Sequence, residues 1–228
     1  MEALVQIFWR DLCARYPQWR EAAAPFAAAV RLLADCAAHG GKILLCGNGG
    51  SAADAEHIAG ELMKSFLLPR PLPESFRQRA RALFPQQAGD LERLQGGIAA
   101  VSLVSGASLP TAFANDVDGR LGFAQQVYAL ARPGDIVWGI STSGNSYNVN
   151  QALRVARLLS CRTLGLTGRD GGDMAALLDV ELRAPVGLTP QIQELHLPMY
   201  HALCACLEAV VFGGQARGNP PAGPTDAA

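Results

Sequence analysis

The stretch KILLCGNGGSAADAEHIAGEL, residues 42–62, decides the architecture. It opens on Lys42-Ile43-Leu44-Leu45-Cys46, a short, apolar strand, followed at once by Gly47-Asn48-Gly49-Gly50-Ser51. From Ser51 to about Lys64 the sequence is Ala-rich and helical in character. A buried strand, a glycine turn and a helix in direct succession form the opening of a βαβ unit.

The same pattern extends outward. Upstream, residues 1–39 read as helical, with Phe26, Val30, Leu33 and Ala37 at three- and four-residue spacing, closed by His39-Gly40-Gly41. Downstream, strands are expected at Ile98–Val104, Asp135–Ile140, Arg162–Thr167 and Val180–Arg183, and a long helix over Pro190–Phe212. Short apolar strands alternating with helices predict an α/β fold, a parallel sheet covered on both faces. Residues 66–97, Pro-rich and then carrying Arg77, Arg79 and Arg81, read as an inserted helical excursion. Residues 1–212 thus make one domain, and the Gly-, Pro- and Ala-rich stretch 213–228 reads as a disordered tail.

Ligands of such sheets bind beyond the carboxyl ends of the strands, and two unusual loops fall there. The first, Gly47–Ser51, lets the backbone approach a ligand closely and leads into a helix N-terminus, an anion site by its dipole and free N–H groups. It lacks the Gly-Lys-Ser/Thr of a Walker loop and the GxGxxG of a dinucleotide site. The second, Ser141-Thr142-Ser143-Gly144-Asn145-Ser146, places four hydroxyls in six residues before a helix. One or two could cap that helix; four exceed what capping needs and suit phosphate oxygens.

Composition narrows the ligand. Half the residues are hydrophobic and the formal net charge is −1, with no long basic run, which argues against a nucleic-acid partner. An anionic ligand would therefore be held by hydroxyls, N–H groups and dipoles. No basic, apolar leader opens the chain and no uninterrupted run of 18 apolar residues occurs, so no membrane span is expected. Cys13, Cys36, Cys46, Cys161, Cys204 and Cys206 form no CxxC pair and read as small buried hydrophobes of a reducing cytoplasm.

Two spacings carry chemistry. His57 and Glu61 lie four apart on the helix that leaves the first loop; Gln193 and His201 lie eight apart, about two turns, on the last helix. Two imidazoles, a carboxylate and an amide could surround a divalent ion such as zinc, or could serve as an acid–base pair. They could equally be an exposed helix pair and a core histidine. His39 and His196 read as structural.

Together these residues resemble the sugar isomerase (SIS) superfamily and, within it, the phosphoheptose isomerases. The resemblance rests on CGNGGSAADAEHIAGEL (46–62), AND (114–116), GDIVWGISTSGNS (134–146), TLGLTGRDGG (163–172) and IQELHLPMYH (192–201). It implies a flavodoxin-like sheet of five parallel strands, and a cytoplasmic homotetramer with sites between subunits. It implies that a sugar phosphate meets Asn48, Gly49, Gly50, Ser51, Asn115, Asp116, Ser141, Thr142, Ser143, Ser146 and Gln193. It places one zinc ion per subunit on His57, Glu61, Gln193 and His201, with Glu61 and His201 as the acid–base pair. The implied reaction turns sedoheptulose 7-phosphate into D-glycero-D-manno-heptose 7-phosphate through an enediol(ate). A non-enzymatic SIS protein, a partner of a replication initiator or a sugar-phosphate sensor, is the alternative; the presence of Glu61 and His201 favours the enzyme. The chain departs from the family pattern at the long insertion 66–97, at Pro190, where an acidic residue is expected, and at Pro198 between Gln193 and His201.

Overall fold

The computed structural model describes residues 1–214. Its centre is one five-stranded sheet in the order β2-β1-β3-β4-β5, every pair parallel. The strands are β1 (Ile43–Gly47), β2 (Ala100–Ser102), β3 (Ile136–Ser141), β4 (Arg162–Thr167) and β5 (Val180–Arg183). This is the flavodoxin-like order, with its switch point between β1 and β3. Three of the five strands lie within the expected segments, and β1 and β3 each run one residue further, into Gly47 and Ser141. β2 is only three residues long where seven were expected, because it is the edge strand and only Ala100, Val101 and Ser102 pair with β1.

Helices cover both faces, as uniformly buried strands require. Ile43 and Leu45 of β1, with Trp138, Ile140, Leu164 and Leu166, point to one face. There they meet α1 (Glu2–Arg15), α2 (Ala23–Ala38), α3 (Gly50–Met63) and α9 (Thr189–Phe212). Leu44, Cys46 and Val137 point the other way, toward α7 (Gly122–Leu130) and α8 (Tyr147–Leu158). The alternation is the period-2 geometry of a strand. The N-terminal helical stretch is interrupted by a 3-10 turn at Pro17–Ala22, whose Trp19 is buried. Residues 66–97 contain α4 (Glu74–Leu83) and α5 (Ala88–Leu91). A short helix, α6 (Ser108–Phe113), runs directly into a π-helical turn at Ala114–Asp118. Of the tail expected at 213–228, residues 215–228 lie outside the described residues.

Helix α9 has the length and mean hydropathy, 1.4, of a membrane-crossing segment, yet 72% of that window is buried inside the fold. Its apolarity belongs to the core. Pro190 sits in its first turn, where a missing N–H costs nothing. Pro198 is interior and buried, and the helix continues through it. All six cysteines are free.

His196, on α9, is fully buried and donates from Nε2 to the Thr167 carbonyl at 3.1 Å, while Nδ1 has no partner. Burial pushes its pKa down from the usual 6.5 to about 4. The folded state therefore binds fewer protons than the unfolded chain between these values. The associated stability is complete above pH 6.5 and is lost as pH falls toward 4. Acidification to pH 5 should cost about 2 kcal/mol through this residue. His196→Gln, which retains a donor but does not titrate, should flatten that part of the pH profile in denaturant unfolding. An unchanged slope would show that His196 is not the cause.

Candidate active site

β1 and β3 are neighbours, with Cys46 opposite Gly139 and Gly47 opposite Ile140, so the two ligand loops leave the sheet side by side. An amide pair ties them together: Asn48 and Asn148 each donate Nδ2 to the other's Oδ1 at 2.9 Å. At the N-cap of α3, Gly49 has φ 57°, the conformation that turns the chain from strand to helix and is easiest for glycine. The first-turn N–H groups of α3 follow directly.

In the second loop, Ser141 and Ser146 share a hydrogen bond between their hydroxyls at 2.9 Å. Ser143 Oγ accepts from Asn145 N at 3.1 Å. Ser146 occupies the N-cap of α8 but makes no side-chain capping bond. The hydroxyls are therefore not consumed in ending a helix. Residues 168–174 brace the loop from outside: Gly168 N donates to the Thr142 carbonyl, and Met174 N to that of Gly144. Asn115 and Asp116 stand on the exposed π-helical turn, joined by an Asn115 Nδ2–Asp116 Oδ1 bond of 2.8 Å. Arg120, a few residues on, stacks over the Tyr147 ring at the start of α8.

Helices α3 and α9 carry the remaining residues, side by side and in the same direction. At the loop end, a Cβ on Gly50 would lie 2.4 Å from the Gln193 amide nitrogen, so Gln193 rests on the backbone of the first loop. Two turns further, His57 Nε2 stands 3.3 Å from Glu61 Oε1 and 3.4 Å from His201 Nε2. Glu61 and His201 are thus at most about 6.7 Å apart, within reach of one substrate. Lys64 Nζ pairs with the other oxygen of Glu61 at 3.0 Å. The Phe66 ring packs 5.5 Å from that of His201. Burial first, and then His57, hold the His201 imidazole below its usual range, favouring the neutral ring.

These donors can be tested against zinc. A tetrahedron with arms of about 2.0–2.1 Å has edges of about 3.3–3.4 Å. The two separations measured from His57 match such edges. Among the described residues, however, no group of three or more His, Cys, Asp or Glu side chains closes as a metal cage. His57, Glu61 and His201 fit zinc in donor type and in two of the edges, and Gln193 lies with the loop. In this single chain the four expected ligands thus divide into a group of three and an outlier.

The sequence spacing did not reveal what supports the site. Tyr200 O–H lies 3.0 Å from His57 Nδ1 and 3.3 Å from Asp54 Oδ1. Arg70 and Glu208 form a fully buried ion pair of 2.6 Å, 138 residues apart. Glu208 accepts the backbone N–H groups of Phe66, Leu67 and Leu68, while Arg70 donates to the carbonyls of Glu61 and Leu62. A cation thereby satisfies the last carbonyls of α3 at the negative end of its dipole. Asp54 stands three before His57 and Tyr200 one before His201, so a search around the candidate residues could have found that pair. Nothing in the sequence links Arg70 to Glu208.

A parallel 2-1-3-4-5 sheet with a glycine loop and a hydroxyl loop at its switch point defines an SIS domain, and the chain matches the SIS domain over residues 10–108 and 97–168. It is 43% identical over 194 residues to the phosphoheptose isomerase of Geotalea daltonii, covering 85% of this chain and 88% of that one. The solved phosphoheptose isomerase GmhA of Neisseria gonorrhoeae superposes with a TM-score of 0.69 at 36% identity, covering 91% and 98% of the two chains. That of Francisella tularensis gives 0.66 at 29% identity, covering 81% and 85%. The chain belongs to the phosphoheptose isomerase family of SIS-domain proteins.

Removing one partner of the Arg70–Glu208 pair leaves a buried charge uncompensated. Arg70→Ala should cost about 3–5 kcal/mol in denaturant unfolding. With Glu208→Ala added, the total should be less than the sum of the two single losses. Additive losses would mean that the pair is not energetically coupled.

Proposed function

We propose that this chain is a phosphosugar isomerase that interconverts sedoheptulose 7-phosphate and D-glycero-D-manno-heptose 7-phosphate. The observation that carries the reading is the convergence of Glu61 and His201 at His57, two helical turns from a phosphate-type loop pair. Family membership with chains named phosphoheptose isomerase supports the same substrate. The distances agree with it. Seven residues of helix separate Gly50 from His57, about 10 Å. An extended seven-carbon chain advances about 1.3 Å per carbon–carbon bond and, with its phosphate, spans a similar length.

In this reading the phosphate lies between the first turn of α3 (Asn48, Gly49, Gly50, Ser51) and Ser141, Thr142, Ser143 and Ser146. Gln193, resting on Gly50, and Asn115 and Asp116 contact the sugar. The open ketose presents C1 to Glu61. The carboxylate takes a proton from C1, the C–H electron pair forms the C1–C2 double bond, and the carbonyl oxygen at C2 takes a proton from His201. Glu61 then returns its proton to C2 while His201 takes the proton from O1, giving the aldose and restoring both residues. Burial lowers the basicity of His201 and favours the neutral ring, which has one N–H to give and one lone pair to accept a proton.

His57, Glu61 and His201 would hold zinc, one ion per subunit, with Gln193 joining only by turning away from Gly50. Such an ion would supply positive charge where negative charge develops on oxygen. The chain works in this reading as a cytoplasmic homotetramer. The exposed apolar side chains of Val117, Tyr128 and Leu158 around α7 and α8 support self-association.

Glu61→Gln keeps the shape of the side chain but removes the base, so turnover of sedoheptulose 7-phosphate should fall by at least about 1,000-fold while the sugar phosphate still binds. Turnover close to that of the parent would exclude Glu61 as the base. The folded double variant Ser143→Ala/Ser146→Ala should bind the sugar phosphate about tenfold or more weakly, as judged by titration calorimetry. Undiminished affinity would place the phosphate elsewhere.

A further inference from the structure

Tyr200 does not take part in the chemistry just described, yet among the described residues its hydroxyl is the group that hydrogen-bonds the far nitrogen of His57. It lies 3.0 Å from His57 Nδ1 and 3.3 Å from Asp54 Oδ1. The Asp54 carboxyl is half-buried, and its Oδ2 has no hydrogen-bond partner. The three side chains come from two helices: Asp54 and His57 are three apart on α3, and Tyr200 is beside them on α9. The Tyr200 ring also packs edge-on against His57, with centroids 5.4 Å apart.

A phenolic hydroxyl has one proton and an ionised carboxylate has none. Between a carboxylate and an imidazole, the Tyr200 proton therefore goes to Asp54, the group that can only accept. The hydroxyl oxygen is left to accept from His57, which requires the imidazole proton on Nδ1. His57 Nε2 then carries a lone pair. It faces Glu61 Oε1 at 3.3 Å and His201 Nε2 at 3.4 Å.

We propose that Asp54 and Tyr200 are positioning residues that lock His57 in its Nδ1–H tautomer and turn a bare Nε2 toward Glu61 and His201. The consequence is local and chemical. A lone pair facing a carboxylate leaves an electron-rich gap that calls for a cation or a shared proton. With His57 in this form, His201 Nε2 is the one atom of the three that can bring a proton into the gap. A divalent ion finds the nitrogen already deprotonated, with no tautomer shift to make. In the opposite tautomer, His57 would donate from Nε2 to Glu61 and occupy the gap with its own proton. The consequence for proton transfer and zinc rests on the function proposed above; the tautomer itself is set by Asp54 and Tyr200 at Nδ1 against the pull of the Glu61 carboxylate at Nε2.

The test uses the full-length, metal-free protein. Two-bond nitrogen–proton correlation spectra of the histidine rings, recorded where imidazoles are neutral, distinguish the tautomers, and His57→Gln identifies the signals. Wild-type His57 should be the Nδ1–H form. Tyr200→Phe, which keeps the ring and its packing, should shift it to Nε2–H. Asp54→Ala should do the same with Tyr200 in place, because the freed hydroxyl then donates to Nδ1. Both variants should bind Zn2+ about tenfold or more weakly in competition with a chromogenic chelator. An Nε2–H wild type, or variants with the tautomer and zinc affinity unchanged, would overturn the proposal. Absence of turnover with sedoheptulose 7-phosphate would instead count against the proposed reaction and leave the tautomer result standing.

Discussion

The structure depends on α3 and α9 lying parallel and in register. Gly50 touches Gln193, and His57 touches both Tyr200 and His201. Packing two helices in the same direction aligns their dipoles unfavourably. The buried Arg70 guanidinium offsets this where α3 ends, by taking up its last carbonyls. Glu208, on α9, holds that guanidinium in place. The loop end of the helix pair receives an anion and the far end carries the acid–base groups, so a slip of one turn would separate the function into unrelated halves.

Much of this was legible from composition and spacing. The apolar runs at 43–46 and 136–140, each followed by a loop of small residues, announce strand ends at a ligand crevice, because a strand buried on both faces can only be apolar. The pairing of those two strands was not legible in composition or spacing; it came with the flavodoxin-like sheet that the resemblance implied. The edge strand was overread because Ile98 and Leu103 are buried through side-chain packing, although only Ala100, Val101 and Ser102 align with β1 as strand.

The site was legible as residues and less so as an arrangement. Helical spacing put His57 and Glu61 on one face, and the resemblance supplied their meeting with His201. It did not anticipate that Gln193, two turns earlier on α9, would rest on the first loop. Residues eight apart on a helix share a direction and are still about 12 Å apart. Pro198 lies between them without breaking the helix. Its missing N–H deprives the Glu194 carbonyl of its usual partner, while its buried ring packs in the core.

The reciprocal amides of Asn48 and Asn148 have a consequence for the chemical ageing of the protein. Each is at once donor and acceptor, because a carboxamide carries both an N–H2 and a carbonyl oxygen. Asn48 is exposed and is followed by Gly49, a neighbour too small to hinder attack of its backbone nitrogen on the side-chain amide. Deamidation there would replace a donor with a carboxylate, set two acceptors face to face and add a negative charge at the mouth of an anion-binding crevice. The pair that ties the two ligand loops together would then also limit how long an individual molecule keeps them joined.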